Sequence, residues 1–414
     1  MRLLYFHQHF STPAGAVGTR SYEMARRMVS QGHEVLMVCG SNSAAATGLT
    51  GPFVNGKRRG WVDGIEVAEF DLAYSNHDGL PRRAWIFLRF ALQSMSIALG
   101  AKADVVFATT TPLTSALPGI AARWLRNRPF VFEVRDLWPE LPKAMGAITN
   151  PAVLGLLGAL EWVAYKSATQ LVGLSPGIVD GIARHGVPRE RITLVPNGCD
   201  LQLFQGAMEP WRPTGVADDD LLAIFTGTHG DANGLNSVLD AALELKARGA
   251  QGIKLVLVGD GKQKPALMAR AEKEGLGDVL LFHAPVAKTR LAGLMAGADV
   301  GLQILADVPA FYYGTSPNKF FDYAASGLFV LTNYPGWVAD LLTESGAGCA
   351  VPPGDSAAFA DALEDARDRK RAGELDREPS LRLASRFDRE VLASKWMSVV
   401  MRAARLRTSD PTRE

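Results

Sequence analysis

Cysteine is scarce in this chain of 414 residues. Cys39, Cys199 and Cys349 stand far apart, odd in number and without the CxxC or Cys/His spacing that a metal site uses. Such a set is expected to be reduced thiols in a cytoplasmic protein, with no metal. Long apolar runs are missing as well. MRLLYF begins apolar, but His7, Gln8 and His9 follow at once, which is too short for a signal-peptide core. No stretch reaches the ~18 to 20 apolar residues of a spanning helix, so the opening reads as a buried strand and no transmembrane segment is expected. Charge of one sign is lacking too. With 44 basic and 43 acidic residues the formal net charge is +1, and no bulk field favours nucleic acid as a partner. Any anion site must be local.

What is present is an ordinary globular composition, 47% apolar and 21% charged, at a length beyond what one core usually serves. Apolar, β-branched runs at Arg2–Phe6, Glu34–Cys39, Val105–Ala108, Phe130–Val134 and Leu171–Leu174 alternate with helix-length segments, the pattern of a parallel, doubly wound sheet. After Ile192–Asn197 a polar, Pro-containing stretch to Gly215 reads as a linker. The pattern then restarts with Leu221–Thr226, Lys254–Val258, Val279–Phe282, Val300–Leu302 and Phe329–Thr332. The expectation is therefore an α/β protein of two Rossmann-like domains facing across a cleft. Their bounds are set at 1–200 and 201–385, followed by a helix over 386–407 that packs back across the domains and a disordered tail over 408–414.

Two segments could meet a membrane. Pro81–Gly100 interleaves Trp85, Ile86, Phe87, Leu88 and Phe90 with Arg82, Arg83 and Arg89, which suits an anionic bilayer surface and equally a core helix with a solvated basic edge. Pro151–Tyr165, with Leu154, Leu156, Leu157, Leu160, Trp162 and Val163, reads more readily as core.

Several strand ends could carry chemistry. Gly15, Gly18 and Arg20 lie between the first strand and an amphipathic helix from Ser21, where backbone N–H groups can approach an anion; a tight turn with no ligand explains the same residues. Thr109, Thr110 and Thr111 end one strand, and FEVRDLWPELP at 132–142 places Glu133, Arg135, Asp136, Trp138 and Glu140 at the end of the next. There a cation can hold an anionic or hydroxylated substrate, or Arg135 and Asp136 can simply pair. In the second series Gly227, Thr228, His229, Gly230 and Asn233 form a second candidate phosphate cradle, with Gly259 in the neighbouring turn. SPNKFFDYAASG at 316–327 is the most informative stretch, because helical spacing sets Lys319 and Asp322 on adjacent positions of one face. The lysine suits a diphosphate and the carboxylate a ribose diol; an exposed ion pair is the plain alternative. Ser316 and Asn318 flank them, and Tyr312 and Tyr313 upstream could line a sugar pocket.

The GHEV turn, RDLWPE, VPNGCD at 195–200, LVLVGDG at 255–261 and SPNKFFDYAASG together resemble glycosyltransferase family 4 over almost the whole chain, nearest to the branch of bacterial O-antigen, capsule and exopolysaccharide enzymes that includes the fucosamine transferases. The resemblance implies a GT-B fold, retention of anomeric configuration and no required metal or cofactor. It implies a nucleotide-sugar donor, UDP by lean, and a lipid-linked saccharide acceptor at the cytoplasmic face of the inner membrane. By that likeness Lys319 and Asp322 meet the diphosphate and the ribose; with the strand-end candidates, donor contacts are expected at Gly15, Gly18, Arg20, Gly227, Thr228, His229, Asn233, Gly259, Tyr313, Ser316, Asn318, Lys319 and Asp322, acceptor contacts at Thr110, Glu133, Arg135 and Trp138, and catalytic roles at Arg135, Asp136 and Lys319. The family's paired glutamates become Gly314 and Asp322 here, its basic pair after the first strand of the second domain becomes Thr228 or His229 and Asn233, and its strand-end histidine becomes Thr110. Lys319 and Arg20 are then expected to carry more of the phosphate charge. A UDP-sugar 2-epimerase, using His7, His9 and His229, and a non-catalytic sugar-binding protein are the rival readings. An NAD oxidoreductase would want GxGxxG followed by an acidic residue, which neither half supplies cleanly.

Overall fold

The computed structural model describes residues 1–15, 18–43, 45–75, 78–206 and 208–408, the side chains of 407 and 408 excepted. Two compact units emerge. One comprises Met1–Pro196, Gly314–Ser316 and Glu390–Glu414, the other Asn197–Tyr313 and Pro317–Arg389.

The first unit is built on eight strands: β1 Arg2–Phe6, β2 Glu34–Asn42, β3 Lys57–Val62, β4 Ile65–Tyr74, β5 Val105–Thr109, β6 Phe130–Val134, β7 Gln170–Gly173 and β8 Ile192–Leu194. They lie in the order β3-β4-β2-β1-β5-β6-β7-β8, parallel except for the β3–β4 hairpin. That hairpin was not anticipated. Its turn is Asp63-Gly64, both at positive φ (50° and 80°), the two-residue connection whose twist matches antiparallel strands. From β1 the chain crosses to β2 on one side, whereas β4 to β5, β5 to β6 and β6 to β7 step in the opposite direction. Right-handed crossovers therefore put the helix Arg20–Ser30 on one face of the sheet and the helices Leu80–Gly100, Ala116–Arg126 and Pro151–Ser167 on the other. The long C-terminal helix, Arg389–Thr408, lies beside Arg20–Ser30, with Arg27 reaching Glu390 and Ser394. Its Trp396 is fully buried, stacked 5.7 Å from Tyr5 and edge-on to Phe107 at 4.9 Å. Beyond Thr408 the expected tail lies outside the described residues.

The second unit carries β9 Leu221–Thr226, β10 Ile253–Val258, β11 Leu280–His283, β12 Val300–Gln303, β13 Phe329–Thr332 and β14 Gly348–Ala350, all parallel, in the order β11-β10-β9-β12-β13-β14. The stretch expected as a linker is packed into this unit: Cys199 and Phe204 are buried, and the Cys199 thiol lies 3.6 Å from the carbonyls of Ala384 and Phe387. In each sheet the strand order reverses once, at β1 in the first and at β9 in the second. The carboxyl ends of the strands flanking that reversal are where open α/β sheets receive ligands.

Candidate functional site

In the second unit β9 and β10 end in glycine turns pressed against each other. Gly227 (φ 138°) donates to Val258 O at 2.9 Å, and a Cβ added at Gly259 (φ 148°) would lie 1.9 Å from Gly227 O. Only glycine fits there. His229 is buried behind the turns, its ring nitrogens without hydrogen-bond partners, and burial pushes its imidazole down to about 4. Asn233 accepts from Lys319 Nζ at 2.9 Å and donates to Thr228 O at 2.7 Å. The ammonium also sits 4.0 Å from the Phe225 ring centroid.

Lys319 is carried by the short helix Asn318–Ala325, which follows β12 and is pinned by its own residue Tyr323. The Tyr323 hydroxyl accepts from Thr226 N at 2.8 Å, and the ring packs on Gly301, where a Cβ would lie 2.4 Å from Tyr323 Cγ. Burial beside a neutral amide lowers the Lys319 ammonium to about 7. Lys319 and Asp322 share the helix but not their surroundings. Burial raises the Asp322 carboxyl to about 6, Lys288 and Arg389 pull it back, and Asp200 pushes it further up. Asn318 is exposed, Ser316 is buried, and Tyr313 is partly exposed at the end of the helix Pro309–Gly314.

In the first unit the site residues gather at the carboxyl ends of β1, β5 and β6. Arg135 N donates to Thr110 Oγ1 at 2.8 Å, while its guanidinium reaches His7 Nε2 at 3.3 Å. A guanidinium only donates, so Nε2 accepts and the proton sits on Nδ1, which donates to Ser21 Oγ at 2.7 Å. Burial, then the Arg135 charge, keeps His7 far below the usual histidine range; the same causes bring His9 to about 4. Thr111 donates to Asp136 at 3.1 Å, and burial raises the Asp136 carboxyl although Arg135 lowers it. Trp138 is half-exposed. His7 and His9 were not expected among the transferase's site residues, though their signal was present: a polar HQH directly after an apolar strand.

Arg20 and Glu133 are placed otherwise than expected. Two guanidinium nitrogens of Arg20 donate to Glu133 at 2.9 and 3.1 Å, and the head group also meets Val195 O at 2.9 Å and Pro196 O at 2.6 Å. Glu133 accepts from Thr109 as well and is fully buried. Arg20 is thus a clamp on the chain after β8, its guanidinium paired with Glu133 inside the fold, whereas the sequence sets Arg20 towards phosphate and Glu133 towards the acceptor. Gly15 serves packing: a Cβ there would lie 2.2 Å from Ser11 Oγ and 2.7 Å from Ala46 N. Gly18 is exposed, and Ala16 and Val17 lie outside the described residues.

No group of three His, Cys, Asp or Glu side chains converges as a metal site among the described residues. No described helix is long and apolar enough to cross a membrane. The arrangement offers a lysine-and-backbone cradle for an anion in one unit and, in the other, a buried His7 met by the half-buried Arg135 beside a carboxyl.

Residues 15–198 match the family described as glycosyl transferase 4-like domain, and residues 221–368 match the glycosyl transferases group 1. The two spans take in most of the chain, which therefore belongs to the glycosyltransferases of the GT-B fold. It is 32% identical over 160 residues to EpsF of Bacillus subtilis (strain 168), a protein provisionally named a glycosyltransferase; the match spans 38% of this chain and 38% of that relative's length. Among solved structures, sucrose-phosphate synthase from Thermosynechococcus elongatus superposes with a TM-score of 0.75 at 15% identity, covering 97% of this chain and 98% of that one. HepE of Anabaena, solved in complex with UDP-glucose, gives 0.66 at 16% identity over 97% of this chain and all of that one. At such identities the likeness is one of fold.

Proposed function

We propose that the protein transfers a hexose, N-acetylated or deoxy, from a UDP-sugar to a lipid-linked saccharide in bacterial surface polysaccharide synthesis. Transfer retains the anomeric configuration, needs no metal, and takes place on the cytoplasmic face of the inner membrane. The observation that carries this reading is the Lys319 ammonium, buried over the β9 turn with a neutral amide as its partner. A diphosphate supplies the opposite charge that this environment lacks, and stabilising charge on the departing diphosphate is where such a transferase gains most. In the first unit, Arg135 and Asp136 can orient an acceptor hydroxyl, and a carboxyl raised by burial is suited to exchange its proton.

The test is UDP release from a panel of UDP-hexoses in EDTA, with and without a polyisoprenyl-diphosphate-linked sugar in detergent. Acceptor-dependent release, lost in Lys319→Ala, supports the reading. Conversion of the donor sugar without any acceptor would point to an epimerase instead.

A further inference from the structure

Three helices share one face of the first sheet, and their outward sides are apolar and basic. On Leu80–Gly100 the exposed positions Trp85, Leu88, Arg89 and Leu92 recur at helical spacing, with Trp85 at 59% exposure. The next helix, Ala116–Arg126, ends in Trp124 and Leu125, each 69% exposed, followed by Arg126. The third, Pro151–Ser167, was expected to be core, yet Leu156 is 71% and Trp162 52% exposed.

On these three helices the charge is almost all of one sign, although Arg82 is paired with Asp78 just ahead of its helix at 3.3 Å. The three helices carry Arg82, Arg83, Arg89, Arg123, Arg126 and Lys166 against a single carboxylate, Glu161, which is buried. In a chain whose charges nearly cancel, that is a local excess. Tryptophans spread over three helices, interleaved with arginines and free of exposed acids, match the boundary of an anionic bilayer, where ring bodies enter the headgroup layer and cations meet phosphate. A second copy of the same face would set arginine against arginine.

We propose that this three-helix face docks the enzyme on an anionic membrane surface. The proposal rests on the lipid-linked acceptor reading and names the surface that would present that acceptor.

Flotation of the purified full chain with vesicles of phosphatidylglycerol and phosphatidylcholine, compared with pure phosphatidylcholine, tests it. Binding is expected to the anionic vesicles only and to weaken in high salt. Arg89→Glu combined with Arg126→Glu should cut it by about tenfold or more. Trp85→Ala, Trp124→Ala and Trp162→Ala together should do likewise, while Trp61→Ala, an exposed tryptophan on β3, should change nothing. Equal binding to neutral vesicles, or unchanged binding by both multiple variants, overturns the proposal, as does a dimer in solution that the tryptophan variant dissolves. UDP stabilisation of the same preparations separates the two readings: if it persists without vesicle binding, docking alone fails; if vesicles bind but UDP does not stabilise, the transferase reading fails.

Discussion

Lys319 sits three residues before Asp322 on one short helix, yet its ammonium is turned to Asn233 and Phe225 while the carboxyl lies among Asp200, Lys288 and Arg389. The lysine is lowered to about 7 from an ordinary 10.5. Between those values the unfolded chain binds more protons than the folded one, so stability rises with pH across that window; the penalty is full below about 7 and gone above about 10.5. Lys319→Met is therefore expected to raise the melting temperature at neutral pH by roughly 2–4 °C, a gain that fades towards pH 10, while abolishing nucleotide binding. Scanning calorimetry across pH checks it. Glu133 shows the opposite case. Glu133→Gln leaves Arg20 as an uncompensated buried charge and should cost about 3–5 kcal/mol in urea unfolding, with the UDP-induced shift retained by the folded protein.

At the scale of elements, the site depends on two glycine turns and the helix laid beside them. Gly259→Ala must move the backbone of Gly227, so UDP stabilisation should vanish and the melting temperature fall. Gly155→Ala, on an open helical surface with nothing within 4 Å, should stabilise by roughly 0.5–1 kcal/mol. Buried parallel strands were legible because each is a compact apolar run; Arg2–Phe6, Phe130–Val134, Leu221–Thr226 and Phe329–Thr332 fall where the pattern sets them. The β3–β4 hairpin was missed because KRRGWV is polar and half-exposed, although Asp63-Gly64 carried a hairpin signal. Strand β14 is three residues long and leaves no periodic trace. Exposure of Leu156 and Trp162 was illegible because an apolar helix packed on one side has the same composition as one packed on both.

For the whole molecule, two doubly wound units and the positions of their strand ends followed from the alternation of apolar runs and helices, and with them the neighbourhood of each candidate site. Side-chain pairing did not follow. That Arg20 is consumed by Glu133, or that His7 meets Arg135, depends on residues more than a hundred positions apart, and spacing along the chain carries no such information. On the proposed function, the second unit binds a nucleoside diphosphate through Lys319. The most direct test is thermal denaturation of the purified protein in EDTA with UDP, GDP or ADP, since a ligand that binds only the folded state raises its melting temperature by mass action. A concentration-dependent rise with UDP that Lys319→Ala eliminates is expected; no rise with any nucleotide at millimolar concentration, or an equal rise in Lys319→Ala, would contradict binding through this lysine.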